Sequence, residues 1–387
     1  MPKVLTMAWP GYKLEMKNPA SVTSIKPENI SGIHQIKRIM NYSKPILFFV
    51  SLFLFTSCSV IDSFNNESDS STKLYPVLMD GDWGYINADG RVVIEPQFQR
   101  AGIFSNGLAP VRKSWKWQYI DARGETVIEG DFNGIRPFSE GYAAVRLDGR
   151  WGYINTAGNF IINPKYRAAF PFSSGRAFVR SLDYRDFKYI NIDDEEIKSV
   201  NSPDDIDFTE ENRFSDGRAL VNNDELYGYI NRDGDTTVEL KYAEARPFSN
   251  NMAAVKISNR WGYINTSGDV ELSPNYISAG DFGNNLAPAR KTSNQFGYID
   301  KSGALVIDEQ FDEARTFHEN RAAVRLGNKW TFIDTKGKPI APATFDEVQP
   351  FHSGLARVLI LIPGEEEPEK QIGYIDKKGE FVWYPTN

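Results

Sequence analysis

The chain of 387 residues is poor in the side chains that most often carry chemistry. It has one cysteine and three histidines. A single cysteine excludes a disulfide framework within the chain and a cysteine-based zinc site. Three histidines leave little room for imidazole catalysis. There is no excess of basic charge: 44 Lys and Arg face 51 Asp and Glu, a net charge of -7. That balance excludes a chain-wide electrostatic footprint for nucleic acid. Long apolar runs are also missing. The longest, Ile46–Phe55, has ten residues, half of the roughly 20 that a membrane-spanning helix needs. What the chain has in abundance is aromatic residues, 13% in all, with 25 Phe, 18 Tyr and 8 Trp. Aromatic side chains suit pleated, half-buried surfaces, so the composition predicts an all-β protein.

The apolar run fits the core of a secretory signal, with Lys44 just before it and Lys37-Arg38 further upstream. It leads into Phe55-Thr56-Ser57-Cys58, which resembles the lipobox of bacterial lipoproteins. The resemblance implies diacylglyceryl attachment to the Cys58 thiol and cleavage before it. Residues 1–57 are therefore expected to be a signal region, with Met40 as the expected translation start. Residues 58–73 are the lipidated cysteine and a flexible tether, because their polar composition cannot bury enough area to offset ordering.

Beyond the tether the chain repeats. Trp83-Gly84-Tyr85-Ile86-Asn87 returns in recognisable form beginning at Trp117, Trp151, Phe187, Tyr227, Trp261, Phe296, Trp330 and Ile372. The intervals are 34, 34, 36, 40, 34, 35, 34 and 42 residues, which makes nine units over 74–384. A second aromatic recurs fifteen residues into most units (Phe98, Phe132, Tyr166, Tyr242), and a Phe opens a turn six residues later (Phe104, Phe138, Phe172, Phe248). Asn or Asp, then Gly three residues on, follows the Tyr-Ile pair in eight of the nine units. That spacing is the signature of a type I turn whose glycine forms a bulge. Trp-Gly-Tyr-Ile is then one strand, Val92-Val93-Ile94-Glu95 begins the next, and tracts such as Ala144-Val145-Arg146 supply a strand before the Trp. Each unit reads as a three-stranded antiparallel meander, too small to be stable alone. The glycine after Trp is expected to admit a closely approaching ring or backbone.

The pattern Trp-Gly-Tyr-Ile-Asn-x-x-Gly, then Pro-x-Tyr/Phe, then Pro-Phe-Ser-x-Gly, resembles the WG-repeat family of bacterial surface and secreted proteins. The resemblance covers essentially the whole chain after the tether and is nearly silent on activity. For the higher architecture, nine units exceed the usual four to eight propeller blades and three strands fall short of the usual four. The expectation is an open β-solenoid or superhelix rather than a closed β-propeller.

Chemistry is sparse. There is no phosphate-binding loop, no His-Glu-x-x-His and no nucleophile elbow. His318 and His352 stand at one repeat position and read as turn residues. The Trp residues at the first motif position read as core wedges, whereas Trp115 and Trp383 lie off it and are candidates for exposure. Turns such as Asn231–Asp235 read as hairpin chemistry, not calcium loops. Departures from the repeat are where individuality sits. The candidate binding residues are thus Arg136, Arg246 and Arg315, Trp115, and the acidic run Asp193, Asp194, Glu195 and Glu196, which opens a stretch extending to Glu211. The three arginines are read as a ridge or as partners of nearby carboxylates, and a second acidic insert spans Glu365–Glu369. No catalytic residue, metal site or cofactor is expected. The sequence predicts a non-enzymatic, lipid-anchored envelope protein that binds a protein or glycan partner and no nucleic acid, with the outer membrane favoured over the inner. A lectin-like glycan module is the alternative, and a carboxylate-dependent glycoside hydrolase the remote one.

Overall fold

A computed structural model describes residues 73–183, 186–201, 213–223, 225–362 and 369–386; Cys58, the signal region and nearly all of the tether lie outside them. The described residues are all-β, and the turn chemistry explains how. In the third unit, Tyr142–Leu147 pairs with the motif strand Arg150–Asn155, which pairs in turn with Phe160–Tyr166. Between the last two, Asn155 Oδ1 accepts from the amides of Ala157 and Asn159 at 3.1 and 3.0 Å. Gly158 takes φ +83°, and the register shifts between Tyr153 and Ile154. This is the expected turn followed by a bulge.

A second bulge lies at the glycine after Trp. A Cβ on Gly152 would stand 2.4 Å from the Ile162 carbonyl oxygen, because the third strand crosses there with its backbone. Units that lack this glycine behave differently. Gln118 and Lys188 sit in unbroken register opposite Glu129 and Ser199. At Thr331 the third strand is reduced to the bridges Trp330–Phe345 and Ile333–Pro339. The glycine is thus a register device, needed where the third strand leans onto the motif strand.

The three-stranded reading of the unit needs correction. Five of the nine sheets among the described residues have four strands. The extra strand is two residues long and lies in the connection that the sequence reads as irregular. Gly134–Ile135 pairs with Arg146 and Val145, and Arg100–Ala101 with Arg112 and Val111. Two-residue strands leave no alternation to detect in the sequence.

The open solenoid is overturned as well: the nine sheets close into a nine-bladed β-propeller. Nine hydrophobic clusters each straddle two consecutive blades, where an open array of nine would have eight. The first joins Tyr85, Ile94 and Phe98 to Ala109, Val111 and Ile120. The series continues around the ring. The ninth joins Leu355 and Tyr374 of the last blade to Tyr75, Val77 and Ile86 of the first. The motif tyrosine marks the same closure. Its hydroxyl donates to a backbone carbonyl of the following blade, as from Tyr85 to Gly102 at 2.9 Å, Tyr153 to Phe170 at 2.7 Å and Tyr263 to Gly280 at 2.8 Å. In the last blade Tyr374 donates to Pro76 of the first, at 2.7 Å. The strand-per-blade and blade-count conventions that favoured an open array carry less energy than the alternative. An open array would leave the apolar faces of its two end units uncovered, at roughly 25 cal/mol for each Å² left in water.

Candidate functional site

Strand order gives the ring two unlike ends. The Asn/Asp turns and the Phe-Ser-x-Gly turns share one end, and there neighbouring turns cap one another. Glu140 accepts from the amides of Ser174 and Gly175 at 2.6 and 2.8 Å. Asp216 accepts from Asn251 at 2.6 Å, and Glu319 from Gly354 at 3.0 Å. Ser139, Ser173 and Ser249 each donate to the Phe carbonyl of the next turn, at 2.6 to 2.7 Å. Polar groups at this end are largely spent on holding the ring. The opposite end carries the tight hairpins that lead into each motif strand, and their sequences differ from blade to blade.

Trp115 sits in one of these hairpins and is 73% exposed. The two-residue turn Ser114-Trp115 has φ values of +49° and +66°, a conformation usually filled by Asn, Asp or Gly. At the second position, where Trp115 stands, other blades comply with Gly149 and Asn259. A bulky ring at positive φ is strained and does nothing for the hairpin. The Arg112 guanidinium lies 4.8 Å from the centre of the Trp115 ring and holds it as a platform.

The other sequence candidates have structural duties. Arg136 packs over Trp151 at 5.3 Å and over Phe170 of the next blade at 5.1 Å. Arg246 lies 5.8 Å from the Trp261 ring centre and Arg315 4.1 Å from that of Trp330; Arg315 also donates to the Val348 carbonyl at 2.8 Å. Arg136 and Arg315 thus bridge to the next blade, and Arg246 lies on the tryptophan of its own. Asp194 occupies the turn position that is glycine in the other eight blades, at φ +65°, and reaches back to the Tyr166 hydroxyl and the Lys165 ammonium of the preceding blade. Glu195 closes the same turn onto Asn191. Glu196 pairs with Lys188 at 3.4 Å. Asp193 lines an open pocket of about 430 Å³ with Glu140 and Arg176 at the capped-turn end. The rest of the acidic stretch, Asp204 to Glu211, and Glu365–Glu367 lie outside the described residues.

Trp83, Trp151, Trp261 and Trp330 pack against the interblade clusters, as wedges should. Trp383 joins the cluster that closes the ring and is half-buried, contrary to the exposure expected of it. His318 and His352 are turn residues, each in a short bridge, to Arg321 and Leu355. Burial lowers the His318 pKa, against the opposing charge of Glu319.

The sequence reading missed the seam between the last blade and the first. At eight interfaces the motif ring meets a Phe from the next blade's turn, with centroids 4.7 to 5.2 Å apart, as in Tyr85–Phe104, Tyr119–Phe138 and Phe332–Phe351. At the ninth, Tyr374 meets Tyr75 at 5.7 Å, and a pocket of about 130 Å³ opens beside the pair. Burial, with Glu319 adding to it, pushes the Tyr75 hydroxyl up to about 12, so both rings stay neutral donors; Tyr75 donates to the Ser353 carbonyl at 2.6 Å. Lys73, His352 and Arg357 line this pocket, and among the described residues no carboxylate does. The signal for Arg357 was present in the sequence. Its repeat position holds Pro76, Pro110, Ala144, Phe178, Leu220, Ala254, Pro288 and Ala323 elsewhere, all apolar and all buried. One charge in that column breaks the pattern.

Likeness to one solved structure supports the fold. A eukaryotic initiation factor crystal structure superposes with TM-score 0.56 at 12% identity, covering 82% of this chain and 96% of that one. Hsv2 of Kluyveromyces lactis gives TM-score 0.37 at 8% identity, over 61% of this chain and 95% of that one. Virginiamycin B lyase from Staphylococcus aureus gives 0.31 at 12% identity, over 69% and 97%. No curated protein matches the chain. The WG containing repeat matches at residues 83–117, 119–151, 151–183, 227–261, 261–294, 296–330 and 330–360. These segments cover more than half of the chain and fall on the blades described above, so the protein belongs to the WG containing repeat family.

Proposed function

We propose that this protein is a non-enzymatic binding scaffold, anchored to a bacterial envelope membrane by a lipid on Cys58, with the outer membrane favoured over the inner. It engages a macromolecular partner of the envelope through the hairpin end of its propeller. The observation that carries this reading is Trp115: an exposed ring kept at positive φ, where the fold gains nothing from it. Strain retained at an exposed aromatic is the pattern of a contact residue, and tryptophan is enriched where interfaces concentrate their energy. The repeat-identical residues, by contrast, are spent inside the ring.

Replacing Trp115 with glycine separates the two roles. Trp115→Gly relieves the turn, so the fold gains about 1 kcal/mol, while capture of the partner by crosslinking in native envelopes is lost. Capture undiminished in Trp115→Gly overturns the proposed surface, and turnover of a broad substrate panel by the wild-type chain overturns the non-enzymatic reading. Labelling of the precursor with a radioactive fatty acid that vanishes in Cys58→Ser supports the anchor; labelling that persists contradicts it. The Arg112-backed ring favours a glycan as the second reading, because a fixed indole face stacks on sugar rings. Quenching of tryptophan fluorescence by envelope glycans, absent in Trp115→Gly, moves the proposal to that reading.

A further inference from the structure

The seam pocket departs from the other eight interfaces in shape and in charge together. In those eight, a phenyl ring from the next blade fills the place beside the motif ring. At the ninth, Tyr75 meets Tyr374 instead, with ring centroids 5.7 Å apart, and the space beside the pair is lined by Leu74, Ile103, Phe104 and Leu355. Its volume, about 130 Å³, approaches that of apolar cavities of about 150 Å³ that take benzene. The charged part of the wall is basic, with Lys73 and Arg357, beside the polar Gln349, His352 and Ser353. Lys73, His352 and Arg357 converge on it in a chain whose net charge is -7. Glu319, whose charge reaches Tyr75, is itself engaged by Lys377 at 2.8 Å and by the Gly354 amide. The two tyrosine hydroxyls are occupied by backbone carbonyls. Arg357 is the telling residue, because its strand position is apolar and buried in every other blade, so the propeller itself has no use for a guanidinium there.

We propose that the seam binds a small organic anion made of an aromatic body and a carboxylate or phosphate head. The ring enters the apolar space beside the Tyr75–Tyr374 pair. The head meets the Arg357 guanidinium, with Lys73 and His352 adding hydrogen-bond donors. Guanidinium suits this task because its paired N–H groups match both kinds of oxyanion.

Titration calorimetry on the full chain tests the site with benzoate and phenyl phosphate as the aromatic anions, benzamide as the uncharged analogue, and acetate as the head without the ring. Saturable one-to-one binding is expected for benzoate, phenyl phosphate or both, which tells carboxylate from phosphate, with benzamide and acetate at least about tenfold weaker. Arg357→Ala restores the residue type of the other blades, so it folds, and it weakens binding by about tenfold or more. Lys73→Ala weakens it less, and Lys336→Ala, on an exposed turn one blade away, leaves it unchanged. A thermal melt of each variant confirms that the ring is intact. The inference is overturned if neither aromatic anion saturates a single site, if benzamide binds as well as benzoate, or if Arg357→Ala binds as tightly as the wild type.

Discussion

At the scale of single residues, the repeat is a set of small decisions that each serve the boundary between blades. The tyrosine of the motif is the clearest. It buries a ring in the interblade cluster and spends its hydroxyl on the next blade, a hydrogen bond worth about 1 kcal/mol that would cost more if the hydroxyl were left unmatched. Burial pushes the hydroxyls of Tyr85, Tyr119, Tyr153, Tyr189, Tyr229, Tyr263 and Tyr298 well above the usual tyrosine value. The sign of the linkage follows. A neutral acid whose folded value is raised contributes stability that is fully present below its unfolded value near 10, and loses it as pH rises through the folded value. An alkaline titration should therefore show tyrosinate absorbance and loss of far-ultraviolet ellipticity rising together above pH 10. Ionisation of these seven residues well before unfolding would contradict their placement. Glycine makes a sharper test. Gly81 and Gly90 both have positive φ, +89° and +79°. A Cβ on Gly81 meets open space, but one on Gly90 would stand 2.1 Å from the Val382 carbonyl oxygen of the last blade. Gly81→Ala should cost about 1–2 kcal/mol of backbone strain. Gly90→Ala carries that cost and the clash at the seam, so its melting temperature should fall further. Equal losses would deny that the first blade touches the last.

At the scale of strands and turns, most of the unit was legible. The Asx-x-x-Gly spacing specifies the hairpin between the motif strand and the third strand. The strand before each Trp shows in Ala144-Val145-Arg146 and its repeats, and even in the first unit the expected strand at Tyr75 is present as Tyr75–Met79. The fourth strand was not legible, because two residues such as Gly134-Ile135 carry no period. Nor was the split of the acidic run: Asp194 and Glu196 lie two residues apart, yet one clamps a neighbouring blade and the other pairs within its own sheet. The hairpin of the seventh blade yields a prediction at this scale. Burial pushes the Glu309 carboxyl up, but the backbone amides of Lys291 and Thr292, the Thr292 hydroxyl and Ser293 outweigh it and hold it down at about 2. A depressed carboxylate contributes stability that is present above its unfolded value near 4.5 and is lost as pH falls through about 2. Hydrogen exchange at Lys291–Ser293 should stay protected at neutral pH and loosen within that acid window. Glu309→Gln should loosen it at every pH, by about 1 kcal/mol. Protection that is the same in both chains would show that the carboxylate does not hold the turn.

At the scale of the whole molecule, the closed ring is what individual repeats conceal. Each unit specifies only its two neighbours, so the same sequence pattern is compatible with a line or a circle, and counting blades or strands against common propellers favoured the line. What decides it is the curvature accumulated over nine units, together with the apolar faces that a line would leave bare at Tyr75 and Tyr374. The candidate site divides in the same way. Trp115 was readable as a ring off the repeat position, and its strained turn was not. Arg136, Arg246 and Arg315 stood out as charges, but charge alone does not reveal that each lies on a tryptophan. Arg357 escaped notice because its significance depends on which blade follows the last one. Closure is therefore the claim on which the rest depends, and one distance tests it. With Cys58 replaced by serine, spin labels are placed at equivalent exposed turn positions: Asp89 with Arg123, across the boundary of blades one and two, and Asp89 with Lys378, across the proposed boundary of blades nine and one. In a ring the two pairs span the same kind of interface, and pulsed electron resonance should return the same distance for both. A distance for Asp89–Lys378 far longer than for Asp89–Arg123 would mean an open array and would contradict the account.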